Sequence, residues 1–91
     1  MNNNHLILIQ QAIENGQLDL AEKLILQLKD TEKDLKEFYS GIICYKMQRW
    51  GDALNHFHKV EEMNPHYKEA KNYISMISDI LKFYHKDLYN P

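Results

Sequence analysis

Apolar residues return along this chain at helical spacing, in five stretches separated by short polar breaks. Over residues 4–14, Leu6, Ile9 and Ile13 share one face, with Leu8 and Ala12 beside it. Asn15-Gly16 interrupts the pattern, because glycine enters the left-handed backbone of a helix end at no steric cost. A second helix is predicted over about 19–29, where Ala21, Leu24, Ile25 and Leu28 keep the spacing. The run Lys29-Asp30-Thr31-Glu32-Lys33 reads as a solvated charged turn, with Thr31 or Asp30 available to cap the next helix.

The third predicted helix, about 32–48, carries Leu35, Phe38, Tyr39, Ile42, Ile43 and Tyr45 and yields at Arg49-Trp50-Gly51-Asp52. A fourth, about 52–63, sets Ala53, Leu54, Phe57 and Val60 on one stripe. It stops at Asn64-Pro65, since proline disfavours helical backbone in the residue before it and has no N–H to donate. A fifth runs from about 65 or 66 to 84 with Ala70, Tyr73, Ile74, Ile77, Ile80, Leu81 and Tyr84. Residues 85–91 are expected to fray or fold back. The pattern predicts an all-α fold in one domain, 1–91, without a linker or low-complexity tract.

The helices also repeat as pairs. Gly41, Cys44, Trp50, Ala53, Phe57 and Val60 occur at the same mutual offsets as Ile9, Ala12, Leu18, Ala21, Ile25 and Leu28. Self-similarity at such a period signals stacked helical hairpins, each burying its apolar face on the next. The second hairpin resembles a tetratricopeptide repeat, whose pattern is W-x2-L-G-x2-Y, then A-x3-F, then P. The match is Gly41, Ala53-x3-Phe57 and Pro65, with Trp50 before the second helix. Glu37, Ser40 and Cys44 stand where the family has Trp, Leu and Tyr. The first hairpin keeps Gly16, Ala21 and Leu28 but has Ile9 and Lys33 at the Gly and Pro positions.

The resemblance implies a right-handed antiparallel helical-hairpin array, a TPR-like α-solenoid of about five helices. Repeat one spans about 2–33, repeat two about 34–67, and a closing helix about 66–84, with a tail at 85–91. Gly41 and Ala53 are then small where paired helices cross most closely, and Trp50 and Phe57 fill the wedge between hairpins, with Trp50 as a buried reporter.

Composition narrows the class. Ninety-one residues, 44% hydrophobic and 26% charged, suit one soluble globular unit with a modest core. A net charge of −2 leaves no basic footprint for nucleic acid. The single cysteine, Cys44, fits a reducing compartment. The start, Met1 to His5, lacks the basic region of a secretory signal, and Leu6-Ile7-Leu8-Ile9 is too short for a signal core or a membrane span, so a cytoplasmic location is expected.

By the resemblance, the first helix of each hairpin lines a concave face where peptides dock. The matching positions are Leu6, Gln10 and Ile13; Phe38, Ile42, Tyr45 and Lys46; then Asn72, Met76 and Asp79. Leu6, Gln10, Phe38 and Ile42 replace the Lys and Asn residues with which some members clamp a C-terminal carboxylate, so that mode is not expected. What remains is an apolar, aromatic groove for an apolar or amphipathic segment of another protein. The same surface would otherwise serve homo-oligomerisation, or be filled by the chain itself. The chain is expected to act as a non-catalytic interaction scaffold without cofactor or metal. His56 and His58 fall on different helix faces, His58 with Glu62 supplies only two ligands, and His5 sits at a packing boundary. Cys44 is expected to pack as a small apolar group, and no phosphate loop or nucleophile elbow occurs.

Overall fold

The computed structural model of the protein describes residues 3–84. Five α-helices make up most of this span: α1 (Asn3–Glu14), α2 (Leu18–Leu26), α3 (Lys33–Lys46), α4 (Trp50–Met63) and α5 (Lys68–Tyr84), with a 3-10 turn (Asp30–Glu32) ahead of α3. No strand occurs among the described residues, in keeping with the all-α expectation. The expectation for 85–91 lies outside them.

One turn design closes both helical pairs. At the end of α1, Gly16 takes φ +75°, its N–H donates to Ile13 O (3.1 Å), and Gln17 N–H reaches back to Ala12 O (2.8 Å). These two bonds satisfy carbonyls that a helix end otherwise leaves orphaned. The α3–α4 turn repeats them: Gln48 N–H donates to Tyr45 O (3.0 Å) and Arg49 N–H to Cys44 O (2.9 Å). Here a glutamine holds the left-handed backbone, at φ +60°. The sequence placed this break at residues 49–52. The structure places it at Met47–Arg49 and takes Trp50 and Gly51 into α4, where Asp52 in the first turn pairs with Arg49 at 2.5 Å.

Three other boundaries shift. α2 stops at Leu26 rather than near 29, where Leu28 N–H donates to Ile25 O (3.0 Å) in the exit turn. Neither Thr31 nor Asp30 caps α3 through its side chain; the 3-10 turn carries the chain in, with Lys29 N–H donating to Glu32 Oε1 (3.4 Å). The fifth helix starts at Lys68 rather than at 65 or 66, because Asn64 closes a turn first. Asn64 Oδ1 accepts from His66 N–H (3.2 Å), and its carbonyl accepts from Tyr67 N–H (3.1 Å).

The core runs through all five helices. Ile9, Ala12 and Ile13 come from α1, Ala21 and Ile25 from α2, Phe38, Tyr39, Ile43 and Cys44 from α3, Ala53, Phe57 and Val60 from α4, and Ala70 and Ile77 from α5. Phe57 has no exposed surface, a burial that contributes roughly 1.5–3 kcal/mol. The α3–α4 crossing is close at the position expected from the glycine. A Cβ on Gly41 would lie 2.8 Å from Phe57 Cε1 and 2.9 Å from Cζ. Ala53, on the facing helix, is likewise fully buried. Gln10 Nε2 donates to the Tyr39 hydroxyl (3.1 Å), linking α1 to α3, and the Tyr73 ring meets Tyr45 at 5.2 Å, linking α3 to α5.

Candidate functional site

The aromatic residues that the sequence assigned to an open groove divide into two groups. Phe38 is core, 7% exposed, and sits among Tyr39, Phe57, Tyr67 and Tyr73 with ring centroids 4.9–5.9 Å away. Ile13 is buried too, also at 7%. Both leave the expected contact surface, for one physical reason. Each lies on the flank of its helix that turns toward the neighbouring helices, and a side chain there gains more from packing than from solvent.

The other positions stay at the surface. Leu6, Ile42 and Tyr45 are half-buried; Gln10, Lys46, Asn72, Asp79 and Met76 are exposed, Met76 by 43%. Tyr45 is held edge-on between Trp50 (5.4 Å) and Tyr73 (5.2 Å). Trp50 itself is half-buried rather than the buried wedge expected, because α4 begins with it and the first turn of a helix has a neighbour on one side only. The wedge is filled by Phe57, stacked on Tyr73 at 5.0 Å and 10°.

Electrostatics at the surface follow from burial. Desolvation pushes the Tyr67 hydroxyl far above its ordinary range, and Tyr39, Glu69 and Asp34 nearby push the same way. Tyr73 is raised by burial and by Tyr45. Burial also raises the Cys44 thiol, against a smaller opposing pull from Arg49, the opposite of the shift that activates a cysteine.

The three histidines weighed as ligands have structural partners. His5 Nε2 meets Leu24 O at 2.6 Å and joins α1 to α2. His56 Nδ1 lies 2.6 Å from Glu37 Oε2 across the α3–α4 pair, and His58 pairs with Glu61 (3.3 Å) rather than with Glu62. Among the described residues no group of three His, Cys, Asp or Glu is placed to hold a metal ion. No described helix is long and apolar enough to cross a membrane.

Two surface features escaped the sequence. Phe83, in the last turn of α5, is 79% exposed. A cleft of about 260 Å³ opens between α2 and the α3–α4 pair, lined by Ile25, Leu26, Ile43, Cys44 and Met47, with Glu22, Ser40, Arg49 and His56 around it. Leu26 does repeat at helical spacing with Glu22 and Ile25, yet nothing in the sequence says that α3 leaves a gap beside it. In comparisons with known proteins, no family model, no curated protein and no solved structure matches this chain.

Proposed function

We propose that this chain is a non-catalytic protein–protein interaction module of tetratricopeptide-like architecture, holding an apolar or amphipathic segment of a partner along α1, α3 and α5. The observation that carries the reading is that Leu6, Ile42, Tyr45 and Met76, the apolar positions the resemblance assigns to one face, each keep exposed surface while Phe38 and Ile13 are withdrawn into the core. Tyr45 supplies an aromatic anchor, Met76 an adaptable one, and Gln10, Lys46 and Asn72 supply a polar rim. The repeated turn bonds at Gly16 and Gln48 support the repeat architecture, since the two hairpins solve the same closure in the same way.

The test selects peptides from a displayed library of amphipathic sequences on the wild-type chain. It then measures their affinity for an Ile42→Glu/Met76→Lys variant whose helical content is unchanged. Loss of binding by roughly tenfold or more, the effect of removing a central anchor, is the expected result. Peptides that bind the variant as well as the parent, or an exhaustive selection that yields none, refute the reading.

A further inference from the structure

We propose that a second copy of this chain docks head to tail, the last turn of one α5 seating Phe83 in the neighbour's cleft between α2 and the α3–α4 pair. The cleft, at about 260 Å³, is smaller than the roughly 300–1,000 Å³ of small-molecule sites and suits one large side chain. Its floor is apolar: Ile25, Ile43 and Cys44 are 4%, 3% and 9% exposed. Leu26 stands at its edge, 78% exposed, and Phe83 is exposed by 79%; the next large apolar side chain in the described chain reaches only 49%. The knob and the edge of the cleft thus carry the two most exposed large apolar side chains among the described residues.

Charge points the same way. Around the cleft, Arg49 is neutralised by Asp52 (2.5 Å) and His56 is engaged by Glu37 (2.6 Å). Glu22 has no ion-pair partner among the described residues, so the cleft presents an uncompensated negative charge. Its occupant should bring an apolar knob beside a cation, and Phe83 follows Lys82 directly. On a wider scale, the α1–α2 pair carries Glu14, Asp19 and Glu22 against Lys23, whereas α5 carries Lys68, Lys71 and Lys82 against Glu69 and Asp79.

The contact is intermolecular by geometry. His56 faces the cleft on one flank of α4, while α5 packs on the flank beyond Phe57, so a chain's own α5 end lies on the wrong side of α4. At 17 residues against the 14 of α4, α5 is the longer helix, and Phe83 in its last turn stays 79% exposed. Two different surfaces meet, so each docked copy leaves one knob and one cleft to continue the assembly as a ring or a stack.

Sedimentation of the full chain from micromolar to near-millimolar concentration tests this. The mass should rise with concentration past that of a dimer and fall as salt is added. Phe83→Asp and Leu26→Glu should each weaken association by roughly tenfold or more. An equimolar mixture of the two, with one intact knob and one intact hole, should form a species of two chains and no larger. Glu22→Lys and Lys82→Glu should each weaken assembly, and their combination in one chain should restore it. Both apolar sites are solvent-exposed, so unchanged far-ultraviolet circular dichroism serves as the folding control. A strict monomer overturns the proposal, and so does association indifferent to Leu26→Glu, which would indicate symmetric pairing through α5. A mixture that stays monomeric overturns it as well. The Ile42→Glu/Met76→Lys variant should assemble normally, which separates this contact from the peptide surface.

Discussion

Replacing Gly41 with alanine tests the close crossing of α3 and α4 most directly. The added Cβ would lie 2.8 Å from Phe57 Cε1, 2.9 Å from Cζ and 3.1 Å from Cδ1. Ordinary carbon contacts begin near 3.5 Å, so the ring must retreat by roughly 0.7 Å. It has nowhere free to go. Phe57 is fully buried, stacked on Tyr73 at 5.0 Å and 5.7 Å from Phe38, so its displacement passes directly into the α3–α5 contact. Overpacking of this kind costs about 1–3 kcal/mol. Against it stands the helix propensity gained on leaving glycine, about 1 kcal/mol.

Gly51 provides the internal control. It too is helical, and a Cβ there meets nothing within 4 Å, so only the propensity gain remains. Gly51 lies in the first turn of α4, where the propensity gain is smaller than in a helix interior, so subtracting the two substitutions leaves a difference dominated by packing, about 1–3 kcal/mol. In melting temperature that is at least about 4–8 °C for a domain of this size. Urea unfolding followed by circular dichroism measures both variants. Equal stabilities, or Gly41→Ala the more stable, would mean that the helices are not in contact there. A Phe57→Leu background should reduce the Gly41→Ala cost, because the clash is with that ring.

Other consequences are open to measurement. Gln48→Gly should stabilise the chain by about 0.5–1 kcal/mol, since a side chain at φ +60° carries a cost that glycine avoids; a loss of stability would contradict the turn geometry. Cys44 should react with a thiol reagent far more slowly in the folded chain than in urea, because burial both shields it and raises its pKa. Tyr67 and Tyr73 hold their protons more tightly folded than unfolded, so above pH 10 the unfolded state ionises first and stability should fall with rising pH. Tyrosinate absorbance in the folded chain should lag that in urea, and coincident titrations would remove the burial argument. Tyr45→Ala removes edge contacts to both Trp50 and Tyr73, and should cost about 1–3 kcal/mol and shift Trp50 emission to the red; an unchanged emission would place Trp50 elsewhere.

Helical periodicity made the five helices legible, and the small residues Gly41 and Ala53 located the tightest crossing. Boundaries were less legible where hydrogen bonds decide them. Asn64 postpones α5 with two turn bonds, and Gln48 takes a left-handed conformation that no composition rule assigns to glutamine. Exposure was the hardest to read. Phe38 and Tyr45 lie two turns apart on α3, yet one is buried among four rings and the other half open. Tyr73 meets both rings, so their difference arises from where Phe57 and Tyr67 approach α3, a tertiary fact that periodicity within one helix does not carry.

That division also decides which side chains hold the fold together. A unit of five helices has little interior in which to bury its apolar side chains. Here Phe38, Phe57, Tyr67 and Tyr73 form a ring cluster that ties α3, α4 and the segment entering α5. Aromatic side chains bring large buried area at two torsions each, so they stabilise a small unit more than aliphatic residues of equal number. Because Phe38 is committed to that cluster, the surface beside it depends on Ile42, Tyr45 and Met76. Of these Tyr45 belongs to both systems, bracing Trp50 and Tyr73 while facing outward. Met76 does not, since it is exposed and has no ring or polar partner among the described residues. Substitutions at Met76 therefore test the proposed contact with less effect on the ring cluster, whereas those at Tyr45 change the stability of the helical unit as well as its surface.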